Sequence, residues 1–167
     1  MNIKEIFNSG ISFEEFVNND ADTYKEKTLE IYQNIEFDEK LVDRVKGINK
    51  KINILACAEI WCPDCMINVP VLKKMKDYND NIDIAIVLKE GNEEIFKKYG
   101  ISGAIRIPTF IIYDEKFNEL GSFVEYPKEI KNIVNSGNQP KIIVAKRKYR
   151  KGEYANETLK DILNVIY

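Results

Sequence analysis

Apolar residues along this chain change period several times, and each change predicts an element. From residue 1 to about 47 the period is helical. Ile3, Ile6 and Phe7 share a face, as do Phe13, Phe16 and Val17, and Ser12 stands three residues before Glu15 as in a capping box. Asn18-Asn19-Asp20 interrupts the run, with Asp20 or Asp22 as cap of a longer helix marked by Tyr24, Thr28, Leu29, Ile31, Tyr32 and Ile35. Asp38 opens a further helix through Leu41, Val42 and Val45, which stops at Gly47. The pattern then becomes continuous. Ile52, Ile54, Leu55 and Ala56, within residues 51–58, predict a buried central strand.

Helical spacing resumes beyond residue 62 through Val69, Leu72 and Met75, with Pro70 inside it predicting a kink. Residues 82–88 predict the next strand, parallel to the first. Gly91-Asn92 then leads into a short helix bearing Ile95, Phe96 and Tyr99 and ended by Gly100. Residues 109–113 form a strand, 114–118 a hairpin turn and 120–126 its antiparallel partner. Pro127 opens a helix with Ile130, Ile133 and Val134, stopping at Asn135-Ser136-Gly137. A final amphipathic helix over 156–167 sets Leu159, Ile162, Leu163 and Ile166 on one face. The β-α-β-α order followed by β-β-α implies an α/β fold, a parallel sheet with right-handed crossovers and an antiparallel hairpin at its end.

The length of 167 residues suits one domain with elaborations, and 44% hydrophobic with 31% charged residues is an ordinary globular profile. The net charge of −2 implies no strong polyanion or polycation partner. Its distribution is uneven. Residues 1–45 hold eleven acidic and five basic side chains, a net of −6, and residues 141–151 hold six lysines or arginines, among them Lys146, Arg147, Lys148, Arg150 and Lys151. With Ile142, Ile143 and Val144 beside it, this basic stretch is expected to pack back on the acidic N-terminal helices rather than bind nucleic acid. No run reaches the roughly 18 apolar residues of a membrane span, and the N-terminus lacks the apolar core of a signal peptide. Three cysteines form no even disulfide framework. A cytoplasmic protein with no membrane and no nucleic-acid partner is the expectation.

The chemistry concentrates in Glu59-Ile60-Trp61-Cys62-Pro63-Asp64-Cys65, between the first strand and the helix after it. Two thiols three positions apart on a helical turn can close into a disulfide and reopen. Free N–H groups and the positive end of the helix favour the thiolate of the first sulfur, which makes Cys62 the nucleophile and Cys65 the resolving thiol. Pro63 suits the first turn, where a missing N–H costs nothing. Asp64 adds negative charge that raises the Cys62 pKa against the helix dipole, so the expectation is a weakly acidic nucleophile and a reducing poise. A C-x-x-C is also half of a zinc site, but a closed site needs further ligands. The chain has no histidine, and its third cysteine, Cys57, sits in the apolar run as a small hydrophobe.

Trp61-Cys62-Pro63-Asp64-Cys65 with Pro70 five residues on resembles the active-site segment of the thioredoxin superfamily. Tyr99-Gly100-Ile101 and Arg106-Ile107-Pro108-Thr109-Phe110 resemble that superfamily's cis-proline segment ahead of a central strand. The resemblance covers about residues 50–134, half of the chain. It implies a thioredoxin-like three-layer α/β/α fold: a helical N-terminal extension over 1–49, a core over 50–137 and a C-terminal helical addition over 138–167, in one domain. It also implies that Pro108 is cis and faces the cysteines, leaving the backbone of Ile107 to pair with an extended substrate. Trp61, Pro63, Asp64, Ile107 and Pro108 would then form the substrate surface, with Arg106 as an electrostatic contributor to the thiolate or to substrate attraction. Many thioredoxins carry a buried acid six residues before the first cysteine. Here that position is Ala56, and Glu59 or Asp64 is the substitute at hand, although each is expected to be a solvated loop carboxylate.

The expected function is thiol–disulfide exchange, chiefly reduction of disulfides in a protein or small-molecule substrate, with no bound cofactor and a partner reductase for recycling. Two other classes fit parts of the pattern. One is a thioredoxin-fold adaptor docking through its helical ends, which an intact C-x-x-C argues against. The other is a protein that passes on a soft metal ion through Cys62 and Cys65.

Overall fold

The computed structural model of the chain describes residues 1–20 and 23–167. Strand β1 (Ile52–Cys57) is buried at every position, as its unbroken apolar run requires. It lies between β2 (Ile82–Val87), which is parallel to it, and β3 (Thr109–Tyr113), which is antiparallel; β4 (Glu119–Val124) pairs antiparallel with β3. The sheet order is β2-β1-β3-β4, so the sheet is mixed rather than parallel throughout. The cause lies in the connection from Leu88 to Pro108. It stays at the end of the sheet where β1 and β2 finish, so Thr109 pairs with Cys57 and β3 runs back. The β3–β4 turn is built by Asp114, whose carboxylate accepts the N–H groups of Lys116 and Asn118 at 2.8 and 2.9 Å.

Among the described residues four helices precede the sheet. Helices α1 (Ile3–Ser9) and α2 (Phe13–Asn18) each carry a capping box, Asn2 with Glu5 and Ser12 with Glu15. Helix α3 (Thr23–Asn34) has its first-turn N–H groups of Tyr24 and Lys25 bonded to the Asp20 carboxylate. Asp22, the alternative cap, lies outside the described residues. Helix α4 (Glu39–Lys46) runs between Asp38 and Gly47, although the Asp38 side chain makes no capping bond.

Helix α5 (Pro63–Tyr78) follows β1 and continues through Pro70 as one element. Helix α6 (Glu93–Phe96), extended by a 3-10 turn over Lys97–Tyr99, follows β2. Helices α7 (Lys128–Asn135), α8 (Gln139–Arg150) and α9 (Ala155–Ile166) end the chain. The alternation of β1 sends Ile52, Ile54 and Ala56 to one face, against Leu72 and Met75 of α5, Ile31 of α3 and Leu159 and Ile162 of α9. Leu55 and Cys57 point to the other face, against Ile6 of α1 and Phe96 of α6. Helices thus cover both sides of the sheet. The extension is stitched to the edge strand by an exchange between Ile11 and Ile86, with N···O distances of 2.8 and 2.9 Å.

The basic stretch differs from expectation. Only Ile142, Ala145 and Tyr149 turn inward, while Ile143 and Val144 are 57% and 50% exposed, because neighbouring residues of a helix cannot share one face. Helix α8 packs on α5 and α7, and among the described residues its cations make no ion pair with the acidic N-terminal helices. No helix among the described residues is long and apolar enough to cross a membrane.

Candidate active site

The chain leaves β1 at Cys57, crosses the end of the sheet and enters α5 with Cys62 at the N-cap and Pro63 in the first turn. The Cys62 N–H donates to the Glu59 carbonyl at 3.1 Å, and the Cys62 carbonyl accepts from Met66 at 3.0 Å, closing the first turn. Cys62 is 7% exposed and Cys65, one turn on, is fully buried. The Cys62 sulfur lies 3.7 Å from the carbonyl oxygen of Ile107, and the Ile107–Pro108 peptide is cis. The Glu125 N–H, in the loop after β4, donates to the Pro108 carbonyl at 2.7 Å and so ties that loop to the proline segment.

The two sulfurs differ electrostatically. The Cys62 thiol is pulled down to about 7, chiefly by a hydrogen bond from the Cys65 thiol and further by backbone N–H groups of Cys65 and Asp64, while burial and the Asp64 charge oppose. Burial pushes the Cys65 thiol well above its ordinary value, and its bond to Cys62 adds to this. Cys57 is pushed up to about 12 by burial. It also packs on the opposite face of the sheet from the Cys62–Cys65 pair. Among the described residues no group of three or more His, Cys, Asp or Glu side chains stands where it could hold a metal ion.

The carboxylates depart from the solvated picture. Asp64 is half-buried, and its Oδ1 accepts the Tyr149 hydroxyl at 2.7 Å. Burial raises its pKa, against that bond and the nearby charges of Arg150 and Lys146. Tyr149 in turn accepts from Asn68 Nδ2 at 2.8 Å, and the Asn68 side-chain oxygen accepts the Thr158 hydroxyl at 2.8 Å. Asn68 Nδ2 also donates to the carbonyls of Asp64 and Glu125. This network joins α5, α8, α9 and the loop after β4 beneath the first turn of the redox helix. Glu59 is used locally, its Oε1 accepting the Lys89 N–H at 3.2 Å. Ala56 is buried with no polar atom to offer.

Of the other residues singled out in the sequence, Trp61 is 56% exposed at the mouth of the site and Pro63 is exposed beside it. Arg106 turns to Glu125, its Nε 4.0 Å from Oε2 and without a hydrogen bond although buried. Burial raises the pKa of Glu125, and the Arg106 charge opposes that rise. Sequence reasoning missed Tyr149, Asn68, Thr158 and Glu125. The one available signal was a polar Asn68 within the otherwise apolar stretch from Met66 to Leu72.

Comparison with known proteins agrees with this geometry. The thioredoxin family matches residues 10–147. The thioredoxin of Mycoplasmopsis pulmonis is 30% identical over 93 residues, which span 53% of this chain and 84% of that protein. Among solved structures, a protein of unknown function from Pseudomonas aeruginosa superposes with a TM-score of 0.87 at 29% identity, covering 99% of this chain and 97% of its own. An HIV epitope scaffold gives a TM-score of 0.86 at 27% identity, covering 99% and 98%. These two matches take in the helical ends as well as the sheet. With Cys62 and Cys65 in contact on a fold of this kind, a thiol redox role follows, and the chain belongs to the thioredoxin family.

Proposed function

We propose that this protein is a thiol–disulfide oxidoreductase that reduces disulfides through the Cys62–Cys65 dithiol. One observation carries the reading: the two thiols have opposite characters, Cys62 near pH 7 at a helix N-terminus and Cys65 held protonated beneath it. The Cys62 thiolate attacks one sulfur of a substrate disulfide, that bond breaks, and the departing thiolate takes up a proton. Cys65 then loses its proton and attacks the Cys62 sulfur, releasing the second substrate thiol. Two electrons have passed to the substrate, and a Cys62–Cys65 disulfide remains for a partner reductase. Asp64, half-buried beside the pair, is the carboxylate we assign to receive the Cys65 proton in place of the acid absent at Ala56. Trp61, Pro63, Ile107 and Pro108 form the surface against which an extended substrate lies. No bound cofactor is required. A reducing compartment such as the cytoplasm suits this direction of exchange.

Trapping tests the reading. Cys65→Ser is expected to accumulate a mixed disulfide between Cys62 and a disulfide-bearing test protein, visible by mass, whereas Cys62→Ser forms none. Mixed disulfides through Cys65 in the Cys62→Ser protein, or none in either, contradict the assignment.

A further inference from the structure

Helix α8 carries a stripe that neither the core nor the exchange reaction uses. Ile143, Lys146, Arg147 and Arg150 recur at helical spacing beside the buried Ile142, Ala145 and Tyr149, and Lys151 follows at the C-cap. Across from them stands Lys27 of α3, and between the two helices lies a groove of about 790 Å³. Five cations line it against a single acid, Glu30. Among the described residues none of the five forms an ion pair.

The groove does not stop at α8. Lys146 and Arg150 also line a second cavity of about 380 Å³ whose other walls include Pro63, Asp64, Glu125 and Tyr126. A continuous channel therefore runs from the first turn of the redox helix, where Asp64 and Glu125 offset Lys146 and Arg150, to a basic outer groove at Lys27, Arg147 and Lys151. We propose that this channel docks an acidic segment of the disulfide-bearing protein, holding its disulfide against Cys62. The proposal rests on the reductase reading above and names the substrate class for that site.

Charge complementarity argues for it. The chain as a whole is at −2, so a pocket with five cations and one acid is a local inversion that attracts anionic segments to the outer groove, one cavity away from the first turn of the redox helix. The apolar part of the lining argues for a peptide over a nucleic acid. In the outer groove, where the cations are, it consists of Ile31 and Ile143, with no aromatic ring on which bases would stack; Tyr126 and Tyr149 line only the inner cavity. Ile143, 57% exposed among cations, offers an aliphatic contact to the side chains of a bound peptide.

The test uses the full chain and the double variant Arg147→Glu/Lys151→Glu, two exposed positions away from Asp64. Binding of a fluorescein-labelled acidic peptide without cysteines is followed by anisotropy. A glutamine-for-glutamate peptide and a single-stranded RNA of equal charge are the comparisons. Reduction of hydroxyethyl disulfide, which is uncharged, is measured in parallel. The acidic peptide is expected to bind at least about tenfold more tightly than its neutral counterpart, to lose that margin in the double variant, and to weaken as salt rises. Rates with hydroxyethyl disulfide are expected to be equal in the two proteins. Equal affinity for the acidic and neutral peptides, or tighter binding of the RNA, would overturn the proposal while leaving the reductase reading intact. No reduction of hydroxyethyl disulfide by the unaltered chain, with its peptide binding intact, would instead overturn the reductase reading and, with it, the substrate assignment.

Discussion

Two sulfurs one helical turn apart are made chemically unequal by their neighbours. Cys62 sits at the end of α5, where Cys65 and backbone N–H groups bond to its sulfur; Cys65 lies wholly inside. Alkylation of Cys62 by iodoacetamide should therefore rise about tenfold per pH unit below its pKa of about 7 and level off above it, because only the thiolate reacts. Cys65 and Cys57 should stay unmodified in the native protein. The Asp64 charge works against the Cys62 thiolate, so Asp64→Asn should move the reactivity midpoint to lower pH, measured by thiolate absorbance near 240 nm. An unchanged or higher midpoint would contradict that assignment. The closeness of Cys62 and Cys65 and the sign of the Asp64 effect on Cys62 were legible from spacing and charge alone. The half-buried state of Asp64 was not, because it depends on Tyr149, 85 positions away.

At the scale of elements, the C-terminal helices support the redox helix from below. Asn68, Tyr149 and Thr158 are buried, and Asn68 is the hub, donating to the Tyr149 hydroxyl and accepting from the Thr158 hydroxyl. Tyr149→Phe is expected to cost about 1–2 kcal/mol in urea unfolding. Asn68→Ala should cost more, because it leaves the Thr158 hydroxyl without its acceptor and opens a void. Unfolding midpoints unmoved by both would contradict the network. The N-terminal extension has its own close contact. A Cβ on Gly10 would stand 2.7 Å from the Ala85 Cβ and 3.2 Å from β2 backbone, so Gly10→Ala should destabilise by about 1–3 kcal/mol on the same measurement. Strand and helix positions followed from the periods of the chain, since Ile52 to Ala56 and Leu159 to Leu163 have only one way to bury their apolar faces. The reversal of β3 and the inward face of α8 did not. The first is set by the path from Leu88 to Pro108. The second lay hidden in a stretch where Ile142, Ile143 and Val144 look alike.

For the whole molecule, our proposal is a single folding unit in which residues 1–49 and 138–167 complete a core spanning residues 50–137. Leu159, Ile162 and Leu163 of α9 are fully buried in the same cluster as Ile54, Leu72 and Phe110. Unfolding in urea followed by Trp61 fluorescence and by far-ultraviolet circular dichroism should give coincident transitions. A chain ended at residue 137 should fail to fold. Separate transitions, or a folded truncation, would contradict a single unit. The central claim is narrower: Cys62 and Cys65 cycle between dithiol and disulfide with a reducing poise. The direct measurement is the redox equilibrium of the pair against dithiothreitol, read by mass and by Trp61 fluorescence. A closable disulfide with a potential near about −270 mV is the predicted result. A potential above about −180 mV, or no Cys62–Cys65 disulfide at any ratio, would contradict it.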